Sequence, residues 1–129
     1  MGETFADIIL RANGKEFKKK ILVDTGATFS WIDGKVLKKL GVKAIDTEEF
    51  ETIEKRIVKR EIGFVEIECY GRKGPTGVVF ARKGDSEVLG LHALETLRLA
   101  VDPYRQRLKK SKTIKALVLK NRDAEMNSA

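Results

Sequence analysis

The chain has 129 residues, with 26 Lys and Arg against 19 Asp and Glu, so its formal charge is +7. This length predicts one domain with a hydrophobic core, and an apolar content of 42% excludes a disordered chain. Eight basic residues and no acidic ones lie between Arg105 and Arg122, whereas the rest of the chain is almost neutral. The basic excess therefore belongs to a C-terminal segment, which weakens the case for a nucleic-acid-binding fold.

Several other classes of protein lack support in the sequence. The longest apolar runs fall far below the roughly 20 residues that a membrane span needs, and the N-terminus lacks the basic-then-apolar order of a secretory signal. Cys69 is the only cysteine and His92 the only histidine, which argues against a disulfide and against a Cys- or His-rich metal site. We therefore expect a cytoplasmic protein without membrane attachment, metal or cofactor.

The first half of the chain predicts a hairpin, a short strand and a short helix, in the order Phe5–Ala12, Glu16–Val23, Phe29–Ile32 and Lys35–Leu40. Asn13-Gly14 predicts the hairpin turn, because both central residues of a type I′ turn need positive φ. Gly41 is placed to end the helix.

The second half predicts further strands and a second short helix, Leu91–Leu97. The strands are Arg56–Ile62, Phe64–Tyr70, Pro75–Arg82, Leu99–Val101 and Ile114–Leu119. We therefore predict a mainly β fold with two short helices. We place the domain at residues 1–119 and a flexible polar tail at residues 120–129.

A weak internal repeat accompanies these elements. Leu37, Leu40 and Val42 follow Asp24-Thr25-Gly26 much as Leu94, Leu97 and Leu99 follow Val88-Leu89-Gly90. Two copies of one strand, loop and helix unit in a small domain predict a pseudo-twofold construction.

The most informative segment runs from Ile21 through Leu22 and Val23 to Asp24-Thr25-Gly26-Ala27. An acidic residue directly after an apolar strand lies at the edge of the core, where burial disfavours its charge unless hydrogen bonds compensate. Gly26 allows a tight turn and a close approach by another chain or a ligand. The plain alternative is an Asp-Thr-Gly turn that only closes a strand.

This segment, followed by Val88-Leu89-Gly90 at the start of a helix, resembles the retropepsin-like aspartic proteases over roughly Phe5 to Asp102. The resemblance implies a barrel-like acid protease fold whose active site lies at a homodimer interface. It also implies that Asp24 is the catalytic residue and that each subunit supplies one. Two such carboxylates share a proton, activate a water and hydrolyse a peptide bond without metal or cofactor.

The resemblance assigns roles to the neighbouring residues as well. Thr25 holds the two loops together across the dimer axis, Gly26 offers backbone to substrate, and Val88, Leu89 and Gly90 brace the loop. Ala27 stands where some relatives have Ser, whose hydroxyl can stabilise the carboxylate. We therefore expect an acid limb of the pH profile closer to neutral than in those relatives.

The resemblance also predicts a flap over the substrate, at Glu49–Lys59. Its tip is expected at Ile53, Glu54, Lys55 and Arg56, and none of these is the Gly that many relatives carry there. We therefore expect a stiffer, longer or differently folded flap. A charged, solvated hairpin without a flap role is the alternative.

Two aromatic residues complete the predicted site. Phe29 and Trp31 share one face of their strand, so they either line an apolar substrate cleft or, for Trp31, fill the core. His92 is expected to be a surface or packing residue rather than an acid or base.

The expected partners are a second copy of the chain and a peptide or protein substrate. Phe5–Leu10 and Ile114–Leu119 are the candidate interface strands. Two other functions stay open: a catalytically weak dimer that binds peptides, and a nucleic-acid-associated protein acting through residues 105–122. Nucleic acid is disfavoured, because that segment lacks interleaved aromatic residues.

Overall fold

The computed structural model describes residues 2–111, which form nine β-strands and two short helices. The strands are β1 (Phe5–Ala12), β2 (Lys15–Val23), β3 (Ser30–Asp33), β4 (Asp46–Glu51), β5 (Ile57–Cys69), β6 (Arg72–Ala81), β7 (Val88–Leu89), β8 (Leu99–Asp102) and β9 (Arg107–Lys110). The helices are α1 (Gly34–Lys39) and α2 (Leu91–Leu97). The predicted strand Ile114–Leu119 and the tail lie outside the described residues.

Seven of these strands form one sheet, in the order β1-β2-β7-β3-β6-β5-β4. β1 also pairs with β5 over Ile9–Arg11, so the sheet curves back on itself and is partly closed. The predicted mainly β, barrel-like fold with two short helices is confirmed. Neither helix among residues 2–111 has the length and apolarity that crossing a membrane requires.

The sheet is built from two halves: the first contains β2, β3 and α1, and the second contains β6, β7 and α2. Each half inserts one strand beside a strand of the other, so that β7 lies between β2 and β3 and β3 lies between β7 and β6. β7 lies parallel to β2, with Leu22 opposite Val88, and β3 lies parallel to β6, with Ser30 opposite Val78. A helix follows each inserted strand directly: α1 follows β3, and α2 follows β7 apart from Gly90. The six repeat residues noted in the sequence are all buried: Leu37, Leu40, Val42, Leu94, Leu97 and Leu99. Exchanging β2 with β6 and β3 with β7 gives the same two parallel pairs, which is the pairing pattern that the predicted pseudo-twofold construction requires.

The first hairpin follows the predicted pattern. β1 buries alternate residues, and its turn has Asn13 at φ 54° and Gly14 at φ 75°, as a type I′ turn requires. Gly41 ends the α1 region at φ 80°, where a residue with a Cβ is strained.

The prediction of two separate strands around Gly63 is wrong, because β5 is a single strand of 13 residues. A Cβ at Gly63 would lie 2.8 Å from the Lys43 carbonyl oxygen and 3.2 Å from Phe80 Cε1. Gly63 therefore lets another segment cross close to the strand instead of breaking it. β5 pairs with β4 over Ile57–Ile62 and with β6 over Ile62–Cys69, so the β4–β5 hairpin projects beyond the barrel.

The start of β6 and the presence of one more strand also differ from the prediction. The turn after β5 is Tyr70-Gly71, at φ 52° and 73°, so β6 begins at Arg72 rather than at Pro75. The basic segment also contains a strand that the sequence did not suggest, β9, which pairs with β8. Its Leu108 is buried between exposed basic neighbours, and a single apolar residue in a charged run gives too weak an alternation to predict a strand.

The close crossing at Gly63 gives the first prediction. Gly63→Ala should lower the free energy of unfolding by about 1–3 kcal/mol, because the new methyl group collides with the Lys43 carbonyl oxygen. Urea denaturation measures this change. Gly71→Asn is the control, since a Cβ there meets nothing within 4 Å and Asn tolerates positive φ. Equal losses in the two variants would contradict the steric explanation.

Candidate active site

Asp24 directly follows β2 and is exposed. Its backbone N–H donates to the Leu89 carbonyl oxygen at 2.9 Å, which continues the β2–β7 pairing by one residue. No ion pair among residues 2–111 includes the Asp24 carboxylate. The pairing with β7 thus fixes the Asp24 backbone, and the exposed Asp24 carboxylate is accessible to a ligand.

The loop after Asp24 turns back on the carboxylate. The Gly26 N–H donates to Asp24 Oδ1 at 2.9 Å, and the Ala27 N–H donates to the Asp24 carbonyl oxygen at 3.2 Å. This is an Asx-type turn, in which the side chain accepts from a backbone group two residues later. One carboxylate oxygen is therefore oriented by the chain itself. Thr25 is exposed at the top of the turn, so its contact across a dimer axis stays a prediction.

The N-terminus of α2 holds the far side of this loop. The first N–H groups of a helix have no partner within the helix, and the N-cap residue Gly90 has no side chain to supply one. Leu91 N–H instead donates to the Ala27 carbonyl oxygen at 2.8 Å, and His92 N–H donates to the Thr28 carbonyl oxygen at 3.1 Å. The helix is therefore capped by the loop, and the loop is held by the helix.

Gly90 is required by the closeness of this contact. A Cβ at Gly90 would lie 2.4 Å from the Phe29 carbonyl oxygen and 2.8 Å from the Ala27 carbonyl oxygen. Its N–H donates to Ser30 Oγ at 2.9 Å, and Ser30 is buried. Val88 and Leu89 are buried beside β2, where they pair with Leu22 and Val23. The structure therefore places all three residues of the predicted bracing segment against the Asp24 loop.

The aromatic residues lie where the loop meets the projecting hairpin. Phe29 and Trp31 are both partly buried, and both contact Phe50 of β4 edge-on, with ring centroids 6.2 Å and 5.1 Å apart. His92 is exposed and packs edge-on against Phe29 at 5.3 Å, in keeping with a packing role. Trp31 therefore does not fill the core, and the cluster joins the loop to the hairpin.

The hairpin has its tip where the flap was predicted. Thr52 closes the tip: its N–H donates to the Arg56 carbonyl oxygen at 2.9 Å, and its hydroxyl accepts from Arg56 N–H at 3.2 Å. Lys55 takes the left-handed conformation, at φ 61°, at a cost of roughly 1–2 kcal/mol for a residue with a Cβ. Ile53 is fully exposed at the tip, with Glu54 beside it. The tip thus uses Lys55 where a Gly would adopt the same φ without strain.

Other reactive groups offer little chemistry. Cys69 is buried, and burial raises the pKa of its thiol to about 11, with the Asp7 charge as a smaller cause. A protonated thiol in the core is no nucleophile at neutral pH. No cluster of His, Cys, Asp and Glu within residues 2–111 has the arrangement of a metal site. The exposed carboxylate of Asp24 is the strongest candidate for chemistry.

The comparison with protein families agrees with this geometry. A family model described as "Aspartyl protease", of the retropepsin-like clan, matches residues 8–93. The chain belongs to this aspartyl protease family. The match spans both the Asp24 loop and the bracing segment before α2. No individual curated protein matches the chain. The predicted family is therefore confirmed, and protease chemistry is the function that it supports.

Sequence reasoning missed two residues of this candidate site. Ser30 is one of them: it lies between two aromatic residues, and a buried Ser among apolar neighbours indicates a buried hydrogen bond. Phe50 lies in an otherwise acidic strand, where the single large apolar residue marks the face that packs.

The Ser30–Gly90 hydrogen bond gives the second prediction. Ser30→Ala should lower the free energy of unfolding by about 1–3 kcal/mol, because the buried Gly90 N–H loses its acceptor. Thermal and urea denaturation measure the loss. Thr28→Ala is the control, since that side chain is exposed, and it should change stability by less than about 0.5 kcal/mol. A Ser30→Ala protein as stable as the control would contradict the role of this bond.

Proposed function

We propose that the protein is an aspartic endopeptidase that works as a homodimer, with one Asp24 carboxylate from each subunit. The observation that carries the proposal is the Asp24 loop itself: an exposed carboxylate with one oxygen held by Gly26 N–H and no cationic partner in the described residues. A single Asp of this kind in each chain requires two chains to form an acid–base pair.

The reaction follows from the properties of such a pair. Two carboxylates close together hold one proton between them, since ionising both is costly. The charged member removes a proton from a water, whose oxygen forms a bond to the peptide carbonyl carbon. The protonated member donates to the carbonyl oxygen. The carbon–nitrogen bond of the resulting diol then breaks as the nitrogen takes the proton that the first carboxylate removed from the water. One hydroxyl of the diol gives its proton to the other carboxylate, which leaves a carboxylic acid, an amine and the pair with one proton again.

Exposed apolar residues beside the loop support the dimer. Leu91 is 39% exposed next to Ala27, and Phe5 is 47% exposed opposite Leu22, two residues before Asp24. Such residues flanking an exposed loop fit a surface that a second subunit covers. Among residues 2–111, β1 is paired on both edges over Ile9–Arg11 and on one edge over Phe5–Ile8, so Phe5–Ile8 is the part of the proposed interface strand Phe5–Leu10 that is proposed to pair across the dimer.

The proposed substrate is a peptide or protein bound between the loop and the β4–β5 hairpin. Phe29, Trp31 and Phe50 supply an apolar aromatic surface there, and Ile53 at the tip offers an apolar side chain to whatever lies beneath the flap. These residues favour apolar substrate side chains near the scissile bond.

Replacing the proposed catalytic residue gives the third prediction. Asp24→Asn should lower kcat/KM on a peptide substrate by at least about a hundredfold, because it removes the general base while keeping the shape of the loop. Asp33→Asn is the matched control: Asn also caps a helix N-terminus, so α1 is kept and activity should persist. An Asp24→Asn protein that cleaves at the rate of the unmodified protein would refute the mechanism. Peptide binding without cleavage in the unmodified protein would favour the weak binding dimer instead.

Subunit mixing tests the shared site. When the unmodified protein exchanges subunits with a threefold excess of Asp24→Asn, activity per unmodified chain should fall to about one quarter, as random pairing in a twofold dimer predicts. The same mixture made with Asp33→Asn should keep its full activity per total chain, because every subunit still carries Asp24. Constant activity with Asp24→Asn would mean that one chain suffices for the reaction.

The residue after Gly26 gives a further prediction on pH. Ala27→Ser should move the acid limb of the kcat/KM profile to lower pH by roughly half a unit, because a hydroxyl donor favours the charged form of a nearby carboxylate. Ala27→Gly adds no donor and should leave the limb in place. An acid limb in Ala27→Ser that stays or moves upward would contradict the assigned role.

A further inference from the structure

A nearly buried ion pair joins the projecting hairpin to the loop between β6 and β7. Arg60 Nε donates to Asp85 Oδ2 at 2.7 Å, and Arg60 Nη2 donates to Asp85 Oδ1 at 2.9 Å. The two side chains are only 13% and 16% exposed. A two-pronged arginine–carboxylate contact fixes orientation as well as distance, and shielding from water strengthens it.

Arg60 lies at the base of the hairpin. β5 first pairs with β6 at Ile62, so Arg60 belongs to the part of β5 that pairs with β4 alone within the described part of the chain. Its cross-strand neighbour is Glu48, on the same face as Phe50 by the alternation of β4. Its Nη1 donates to the Lys59 carbonyl oxygen at 2.8 Å. In residues 2–111, the other ion pair from this part of β5 is the exposed contact of Glu61 with Lys38, at 3.8 Å.

Asp85 belongs to a loop that is itself held firmly. Its carboxylate also accepts from Arg82 N–H at 2.8 Å, and its own N–H donates to the Arg82 carbonyl oxygen at 2.9 Å. Arg60 holds the pKa of the Asp85 carboxyl below its usual range, so the pair is charged at neutral pH. Glu87, two residues later, accepts from Asp33 N–H and from Lys19 Nζ. The loop is therefore a fixed anchor.

This anchor leads directly to the catalytic loop. β7 begins at Val88, and the Leu89 carbonyl oxygen accepts the Asp24 N–H. From Arg60 the connection passes through one ion pair, then three residues of chain to β7, and then one backbone hydrogen bond to Asp24.

We propose that Arg60 and Asp85 are positioning residues that set the height of the flap above the Asp24 loop and so control substrate binding. This proposal rests on the proposed function. With the pair intact, the base of the hairpin is fixed beside the site. Without it, the hairpin spends more time away from the site, and the apparent affinity for substrate falls in proportion to the lost closed fraction.

The experiment uses Asp85→Asn, Arg60→Gln, their double variant and the milder Arg60→Lys, which keeps the charge but loses the two-pronged contact. The control is Glu61→Gln, the next residue, whose contact with Lys38 spans 3.8 Å and is well exposed. Steady-state kinetics separates KM from kcat.

We expect KM to rise about 5- to 20-fold in Asp85→Asn and Arg60→Gln, with kcat within about twofold and no further rise in the double variant. The KM of Arg60→Lys should lie between that of these variants and that of the unmodified protein. The KM of Glu61→Gln should stay within about twofold of that of the unmodified protein. A fall in kcat at constant KM, or an equal effect of Glu61→Gln, would overturn the proposal.

A second measurement does not depend on activity. In an Asp24→Asn background, hydrogen exchange of the β4 and β5 amides should quicken in Asp85→Asn but not in Glu61→Gln, while core strand β6 keeps its protection. Unchanged exchange in the hairpin would refute the positioning role even if the enzyme proves active. Faster exchange in a protein without protease activity would refute the proposed function, but it would still show that the Arg60–Asp85 pair restrains the hairpin.

Discussion

The structure depends on one mutual arrangement, in which the N-terminus of α2 is capped by the backbone of the Asp24 loop. The helix needs acceptors for its first N–H groups, and the loop needs a support that holds its carbonyl groups in place. Gly90 makes the contact possible, because any side chain there would occupy the space of the Phe29 carbonyl oxygen. Helix stability and the placement of the carboxylate therefore come from the same few hydrogen bonds, and neither can change alone.

The residues of the candidate site could be named from the sequence mainly through a family resemblance. An Asp-Thr-Gly turn is common at strand ends, and Asp24, Gly26 and the segment before α2 stood out because together they resemble the retropepsin-like proteases. Asn13-Gly14 predicted its turn for a local reason, the need for positive φ at both positions. Local steric demands are visible in a sequence because few residues satisfy them.

The rest of the site depends on contacts between distant segments. Phe50 comes to Phe29 and Trp31 only because β4 pairs with β5, and β5 with β6, so no local pattern indicates the cluster. Gly63 looked like a strand break because glycine usually weakens strands, yet its role is to admit a crossing segment. The Arg60–Asp85 pair joins residues 25 positions apart, and in a chain with 35% charged residues many such pairs are conceivable.

The interlocking of the two halves has a consequence for how the chain acquires its structure. β3 pairs with β6 on one edge and with β7 on the other, and the inner edge of β2 pairs with β7, near residue 88. During synthesis, β3 and the inner edge of β2 therefore lack these neighbours until the chain has been made through β7. Closing such long loops costs entropy before any pairing repays it, so we expect slow, all-or-none folding only after β7 has been synthesised. The same arrangement means that the chain cannot be divided between its halves into two stable pieces.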